Sequence, residues 1–472
     1  MANKSAQNES AELLVIGAGP AGYPAAFHAA DLGMSVTIVD PEVNPGGVCL
    51  YRGCVPSKAL LHVAEFVNEA EGMAKLGVEL GDVNVDVGRL RDWKNSVVKR
   101  LTGGLGQLCK QRKIKYVRGR AHLLGPHSAA IQPHEGGETR ISFDNAIVAT
   151  GSVPGSVPGL PDSNRVMSSR EALDIADVPE RLLVVGAGYI GLELGQVYAS
   201  LGSRVSVVEM LPEILPGADR DLAKFLARRL KKQFESIMTE TKAANITETD
   251  NGLDVTFDGK ESGSDRFDKI MVAVGRKPYT ADAGFGNTRA AIDEHGFVVV
   301  DEQRRTAEPS IYAVGDISGQ PMLAHKGTHE AHVAVDAIAG EAASWDSQTV
   351  PAVVFSDPAV AWCGLTEREA GEQGIDIETT TFPWAASGRA TTLARNDGVT
   401  KLVLEPGSNR ILGVGIAGKD AGELIAEGTL AVEMGALAED IALTVHAHPT
   451  LAETLMEAAE AADGHSTHYF GR

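Results

Sequence analysis

Short apolar runs of strand length alternate with alanine-rich helical patterns along this chain, and one arrangement of them occurs twice. The run Leu13–Ile16 is apolar throughout and stops at Gly17-Ala18-Gly19-Pro20-Ala21-Gly22. A helical pattern continues to about Leu32, and a second apolar strand, Ser35–Val39, ends on Asp40. In mid-chain the strand Leu182–Val185 leads into Gly186-Ala187-Gly188-Tyr189-Ile190-Gly191, a helix, and the strand Arg204–Val208, which ends on Glu209. In both copies the acid follows the first glycine by 23 residues. Glycines at this spacing allow a tight turn and the close approach of a diphosphate, whose charge sits at the helix N-terminus, while the terminal acid meets a ribose. Two dinucleotide cradles are therefore expected. A carboxylate at Glu209 disfavours a 2′-phosphate, and Met210-Leu211-Pro212 supplies no arginine for one, so the second cradle is expected to take NAD rather than NADP.

Later strands close each cradle. Ala146–Thr150 precedes Gly151, Ile270–Val274 precedes Gly275, and Ile311–Val314 runs into Gly315-Asp316, an acid that at a strand end can bind sugar or ribityl hydroxyls but taken alone is more often a helix N-cap. At 472 residues the chain is too long for one core and is expected to form three or four domains. Its 43% hydrophobic content is that of a soluble globular protein. The formal charge of −20 with no basic run argues against nucleic-acid binding. The polar start MANKSAQNESAE lacks a secretory core, no apolar stretch reaches membrane-spanning length, and a cytoplasmic location is expected. No metal site is expected.

The segment GGVCLYRGCVPSK, Gly46 to Lys58, places Cys49 and Cys54 just downstream of the first cradle. The residues from Cys54 onward have a helical pattern, and an ideal helix would hold positions five apart on different faces. The sulfurs can meet if the first turn is distorted or if Cys49 lies before the helix, and Gly53 and Pro56 allow this. A ring this small gains little from loop closure, whereas a helix N-terminus lowers a thiol pKa, so the pair suits redox exchange better than stapling. Near the other end stands HAHPTLAE. Between His446 and His448 the sequence leaves the choice open. His448 is followed by Pro449, and Glu453 lies five residues on, at the start of a helix read as Leu451–Ala462, giving the imidazole–carboxylate pair typical of an acid–base partner for a thiol.

Together these residues resemble the dihydrolipoamide dehydrogenase family, within the pyridine nucleotide–disulfide oxidoreductases. The resemblance runs through the whole chain and is carried by GGVCLYRGCVPSK, GYIGLELG, VEMLPEILP, YAVGDISGQPMLAHKG, FPWAASGRA and HAHPTLAE. It implies an α/β fold with two Rossmann-like dinucleotide-binding domains, for FAD and NAD, plus a C-terminal α+β dimerisation domain. The implied division is 1–152 for FAD and the redox disulfide, 153–280 for NAD, 281–349 as a central domain completing the FAD site, and 350–472 as the interface domain. By the same resemblance FAD meets Gly17, Gly19, Gly22, Asp40, Lys58, Gly151, Asp316 and Ala324, with the Ala121 backbone by the adenine. NAD meets Gly186, Gly188, Tyr189, Gly191, Glu193, Glu209 and Gly275. Lys58 is expected to pair with Glu193 near the flavin.

The resemblance further implies that Cys54 faces the flavin, that Cys49 exchanges with the substrate, and that His448 and Glu453 come from the partner subunit of an obligatory homodimer. The reaction it implies is oxidation of dihydrolipoamide with reduction of NAD⁺ through the disulfide and FAD. The implied partners are lipoyl domains of 2-oxo acid dehydrogenase complexes and of the glycine cleavage system, with no nucleic acid and no membrane. Tyr51 departs from the family pattern, which has asparagine there, and is expected to tune the redox ring. Tyr189 either gates the flavin or packs on it. Among rivals, a glutathione-type reductase would want positive charge near Glu209 and a mercuric reductase an extra C-terminal cysteine pair, which ADGHSTHYFGR lacks. A non-enzymatic flavin-binding subunit is the alternative of a different class.

Overall fold

The computed structural model describes residues 9–81 and 83–470. Most of the polar opening stretch, residues 1–8, lies outside them. The chain divides into two compact units, the first made of residues 1–59, 86–155 and 275–346, the second of residues 60–85, 156–274 and 347–472.

In the first unit the strands Lys115–Gly125, Val36–Asp40, Glu9–Ile16, Thr139–Val148 and Ile311–Ala313 lie side by side in that order, each parallel to its neighbour. An antiparallel strand, Ser128–Pro133, links Lys115–Gly125 to Thr139–Val148. The central strands are apolar on both faces because helices cover the sheet: Leu13, Leu14, Val15 and Ile38 are buried completely. Chain order reverses beside Glu9–Ile16, so the first glycine loop opens at a switch point, where doubly wound sheets bind ligands. The strand Ile311–Ala313, from a segment far along the chain, joins this sheet at its edge.

The second unit holds another parallel sheet, in the order Ser236–Met238, Arg204–Val208, Arg181–Val185, Lys269–Val272 and Val166–Ser168. A three-stranded antiparallel sheet of Thr241–Thr249, Gly252–Gly259 and Gly263–Phe267 accompanies it. Its C-terminal part is a five-stranded antiparallel sheet, Ala352–Val354, Ala359–Gly364, Ile411–Gly418, Val399–Leu404 and Glu378–Pro383, with the helices Ala421–Met434 and Glu453–Glu460. The fold is therefore two Rossmann-like regions plus a separate C-terminal domain of mixed α/β architecture. No helix among the described residues is long and apolar enough to cross a membrane.

Trp384 anchors the C-terminal core. It is fully buried among Phe382, Leu402, Ile416 and Leu455, and its indole N–H donates to Thr400 Oγ1 at 3.0 Å, which in turn donates to Thr454 Oγ1 at 2.8 Å. The buried indole thus keeps its polar atom satisfied. Replacing Trp384 by alanine is expected to lower the unfolding free energy by about 3–5 kcal/mol. Urea denaturation checks this, and Trp384→Phe is expected to recover most of the loss.

Candidate functional site

The first cradle is built as the spacing predicts. Gly22, which opens the helix Gly22–Asp31, lies so near the turn that an added Cβ would fall 1.8 Å from Gly17 O, so only glycine fits. Asp40 acts as a clamp on the loop: Oδ2 accepts the Ala18 N–H at 2.7 Å and Oδ1 accepts the Glu42 N–H at 2.9 Å. Burial pushes the Asp40 pKa up to about 6, against the opposing pull of the Ala18 hydrogen bond and of Arg52 and Arg120. Gly151, at φ +75°, has open space where a side chain would stand.

Asp316 lies in a short turn, Gly315–Ile317, secured from two sides. Ser152 Oγ donates to Asp316 Oδ2 at 2.5 Å, and Arg276 donates to Ser152 Oγ and O, both at 2.7 Å. Behind the turn the fully buried Glu330 accepts the Gly315 N–H at 2.7 Å and pairs with Arg304 at 3.1 Å and Lys326 at 3.0 Å. Ala324 opens the helix Ala324–Ala339, which Thr328 ties to the first loop by donating to Pro20 O at 2.8 Å. Ala121 sits mid-strand opposite Ile131. Ser152, Arg276 and Glu330 were not singled out from the sequence; Ser152 lies more than a hundred positions from both Asp316 and Arg276, and no local motif joins them.

The cysteines sit on two helices rather than one. Cys49 belongs to the short helix Gly47–Arg52, Gly53 breaks the chain at φ −145°, ψ −114°, and Cys54 opens the helix Cys54–Gly72. The break resolves the mismatch of faces that a continuous helix would impose. The two thiols are hydrogen-bonded to each other, with Cys54 the more exposed. That hydrogen bond and burial raise the Cys49 pKa, while Lys58, one turn into the following helix, pulls it down. The dipole of the 19-residue helix Cys54–Gly72 favours a thiolate at its first residue.

The pair is tied directly to the nucleotide loop. The Gly46 N–H donates to Ala18 O at 2.7 Å, and an added Cβ on Gly47, at φ +54°, would fall 2.4 Å from Gly19 Cα. Tyr51 has a specific partner outside the ring of the two thiols: its hydroxyl donates to Asn44 O at 3.0 Å and accepts the Asn44 N–H at 3.2 Å. It braces the loop between Asp40 and the cysteines, assisted by an Arg52–Glu42 ion pair and by Tyr116 donating to Glu42 O at 3.0 Å.

The second cradle repeats the clamp. Glu209 Oε2 accepts the Ala187 N–H at 2.7 Å and Oε1 the Leu211 N–H at 2.8 Å. An added Cβ on Gly191 would fall 2.2 Å from Gly186 O, whereas Gly188, capping the helix Tyr189–Ser200, faces open space. Tyr189 is 40% exposed at the start of that helix. Glu193 is buried and accepts the Phe355 N–H at 2.9 Å. Gly275, at φ +104°, also has open space beside it, and its carbonyl accepts the Gly155 N–H at 2.8 Å.

The two C-terminal histidines separate clearly. His446 uses both ring nitrogens, Nδ1 with Thr444 O and Nε2 with Glu427, each at 2.8 Å, and its side chain is 5% exposed. His448 is 72% exposed, with Nδ1 held by Glu453 at 2.8 Å and Nε2 unengaged among the described residues. Glu453 also accepts the Thr450 N–H at 2.7 Å and opens a helix, Glu453–Glu460, shorter than the sequence pattern suggested. Only His448 is arranged as an oriented, accessible base. Elsewhere Asp219, Asp221 and Glu367 surround the buried Lys401 Nζ at 2.7–2.8 Å, so the lysine fills the centre of that acidic cluster.

Residues 11–331 match the model of the pyridine nucleotide-disulphide oxidoreductases, and residues 350–459 match the dimerisation domain of the same family. The chain is 46% identical to a dihydrolipoyl dehydrogenase of Vibrio parahaemolyticus over 97% of its length and 96% of the relative's. It is 43% identical to one of Geobacillus stearothermophilus, over 97% of each. Among solved structures, LpdA from Mycobacterium tuberculosis superposes with a TM-score of 0.89 at 25% identity, covering 96% of this chain and 99% of that one.

The brace at Tyr51 yields a test. Tyr51→Phe removes both hydrogen bonds to Asn44 and is expected to cost about 1–2 kcal/mol of stability. Thermal unfolding reads the loss, while the reactivity of Cys49 and Cys54 toward an alkylating reagent is expected to stay unchanged.

Proposed function

Because the chain belongs to the pyridine nucleotide-disulphide oxidoreductases, we propose that it reoxidises protein-bound dihydrolipoamide with NAD⁺, as the dihydrolipoyl dehydrogenases it matches are named for doing. It is an oxidoreductase, and its family is one of flavin and pyridine-nucleotide binding. The single observation that carries the reading is the thiol pair at a helix N-terminus, fastened to the loop of a dinucleotide cradle. The residues present fit the two cofactors. Gly17, Gly19, Gly22, Asp40, Lys58, Gly151, Asp316 and Ala324, with Ala121, would hold FAD. Gly186, Gly188, Tyr189, Gly191, Glu193, Glu209 and Gly275 would hold NAD. When bound, the flavin and nicotinamide supply the acceptor for the electron pair collected by the cysteines.

The chain's own residues account for the thiol chemistry. In the oxidised enzyme the Cys49–Cys54 disulfide meets a substrate thiol whose proton is taken by His448 Nε2 of the partner subunit, with Glu453 holding Nδ1. The substrate sulfur bonds to Cys49 and the Cys49–Cys54 bond breaks, leaving Cys54 as a thiolate stabilised by the helix dipole and Lys58. The second substrate thiol then attacks the substrate sulfur of the mixed disulfide and closes the lipoyl ring; the bond to Cys49 breaks and the second thiol's proton passes to the departing Cys49, so the first proton stays on His448 and Cys54 stays a thiolate. Lys58 and Glu193 would form a pair beside the flavin. Glu209 would accept the ribose hydroxyls and repel a 2′-phosphate. The lipoyl domains of 2-oxo acid dehydrogenase complexes and of the glycine cleavage system are the proposed partners, and a homodimer in the cytoplasm is the proposed working state. The domain limits proposed are 1–152, 153–280, 281–349 and 350–472.

Steady-state NADH formation from dihydrolipoamide tests the proposal. Turnover is expected with NAD⁺ and at least about tenfold less with NADP⁺. Cys54→Ser is expected to abolish it with flavin still bound, and His448→Gln to lower it by about 10²–10⁴-fold. Unchanged turnover in Cys54→Ser would sink the assignment.

A further inference from the structure

The helix Glu453–Glu460 is gripped by two histidines that lie outside it. Glu453 orients His448, and Glu457, one turn further along the same face, meets His468. Glu457 has no part in the thiol chemistry, yet it is a carboxylate only 3% exposed. Among the described residues its carboxylate is met only by Ser466 and His468, from the segment that follows the helix. His468 Nδ1 lies 2.5 Å from Oε1, and Oε2 accepts from Ser466 Oγ at 2.7 Å and from the His468 N–H at 3.2 Å. The segment is seated at two further points. The His465 N–H donates to Glu460 O at 3.0 Å, and Tyr469 meets the buried Phe382 edge-on at 6.4 Å. A carboxylate taken out of water needs charge and hydrogen bonds in exchange. Burial works to raise the Glu457 pKa, but the hydrogen bonds from His468 and Ser466 outweigh it and hold the carboxyl below its ordinary range. Glu457 in turn raises the His468 pKa, and the charges of Glu453 and Glu460 add to this, so the pair stays ionised to higher pH than an isolated imidazole allows.

We propose that His468 is a positioning residue for the acid–base pair: by fastening the segment 465–469 to Glu457, it fixes the helix whose first residue, Glu453, orients His448. This role rests on the reading of His448 as the base of the thiol reaction. The sheet already holds the helix on one side, through Thr380 Oγ1 donating to Ala458 O at 2.8 Å and through Thr454, which accepts from Thr400. His468, itself 57% exposed, supplies the hold on the solvent side. The helix has only eight residues, so a shift at Glu457 reaches Glu453 undamped. Both oxygens of Glu453 are committed, Oε1 to His448 Nδ1 and Oε2 to the Thr450 N–H. Release of the segment leaves Glu457 buried without donors. The helix must then turn that carboxylate out to water, and the rotation draws Glu453 away from the imidazole it orients.

Two steady-state assays of the holoenzyme test this role: dihydrolipoamide with NAD⁺, which needs His448, and NADH with ferricyanide, which bypasses the thiols. His468→Ala is expected to lower kcat in the first by about three- to tenfold and to leave the second unchanged. His468→Lys, which returns a cation to Glu457, is expected to recover most of the loss. In a His448→Gln background, His468→Ala is expected to cost less than about 1.5-fold, because no base remains to be positioned. Independently of any substrate, backbone hydrogen exchange across the helix Glu453–Glu460 is expected to quicken at least about threefold in His468→Ala. Unchanged exchange, unchanged dihydrolipoamide turnover, or an equal loss in both assays overturns the role of His468. Native-like turnover in His448→Gln overturns instead the base assignment beneath it.

Discussion

The close approach of Gly47 to Gly19 is the contact on which the redox centre depends. With the Gly46–Ala18 hydrogen bond it presses the start of the cysteine segment against the turn of the first cradle. Any side chain at Gly47 would force the two loops apart, and the thiols would move away from the turn of the first cradle. The break at Gly53 then brings Cys49 and Cys54 together from separate helices. Position comes from the first contact and the ability to form a disulfide from the second.

Both cradles show the same solution to a second problem, which is how to hold a glycine-rich turn open for a diphosphate. A carboxylate from the end of the neighbouring strand, Asp40 in one and Glu209 in the other, takes the N–H of the residue after the first glycine at 2.7 Å. Each acid also caps the chain two residues beyond itself. The acid at the end of the second strand therefore shapes the loop as well as offering a ribose partner, and in the first cradle the burial this requires raises its pKa.

Much of this was legible in the sequence because it is local. The glycine loops, the acids 23 residues on, the thiol pair and the His448–Glu453 pair all depend on fixed short spacings, and each appears where its spacing places it. What escaped is what tertiary structure alone joins. The Arg276–Ser152–Asp316 relay spans separate strands, and the segment 275–346 contributes the strand Ile311–Ala313 to the first sheet. The choice between His446 and His448 needed burial, since both lie in the same short motif and only one has a ring nitrogen to spare. Tyr51, unexplained as a member of the redox ring, is explained by Asn44, a residue with no motif of its own.

The central claim is that Cys49 and Cys54 form one disulfide–dithiol couple reduced by dihydrolipoamide. Differential alkylation read by mass spectrometry tests it most directly. In the oxidised holoenzyme neither residue is expected to react, and after one equivalent of dihydrolipoamide without NAD⁺ both are expected to be labelled, while the buried Cys109 and Cys363 stay unlabelled throughout. Labelling of Cys49 and Cys54 that does not depend on dihydrolipoamide would contradict the account.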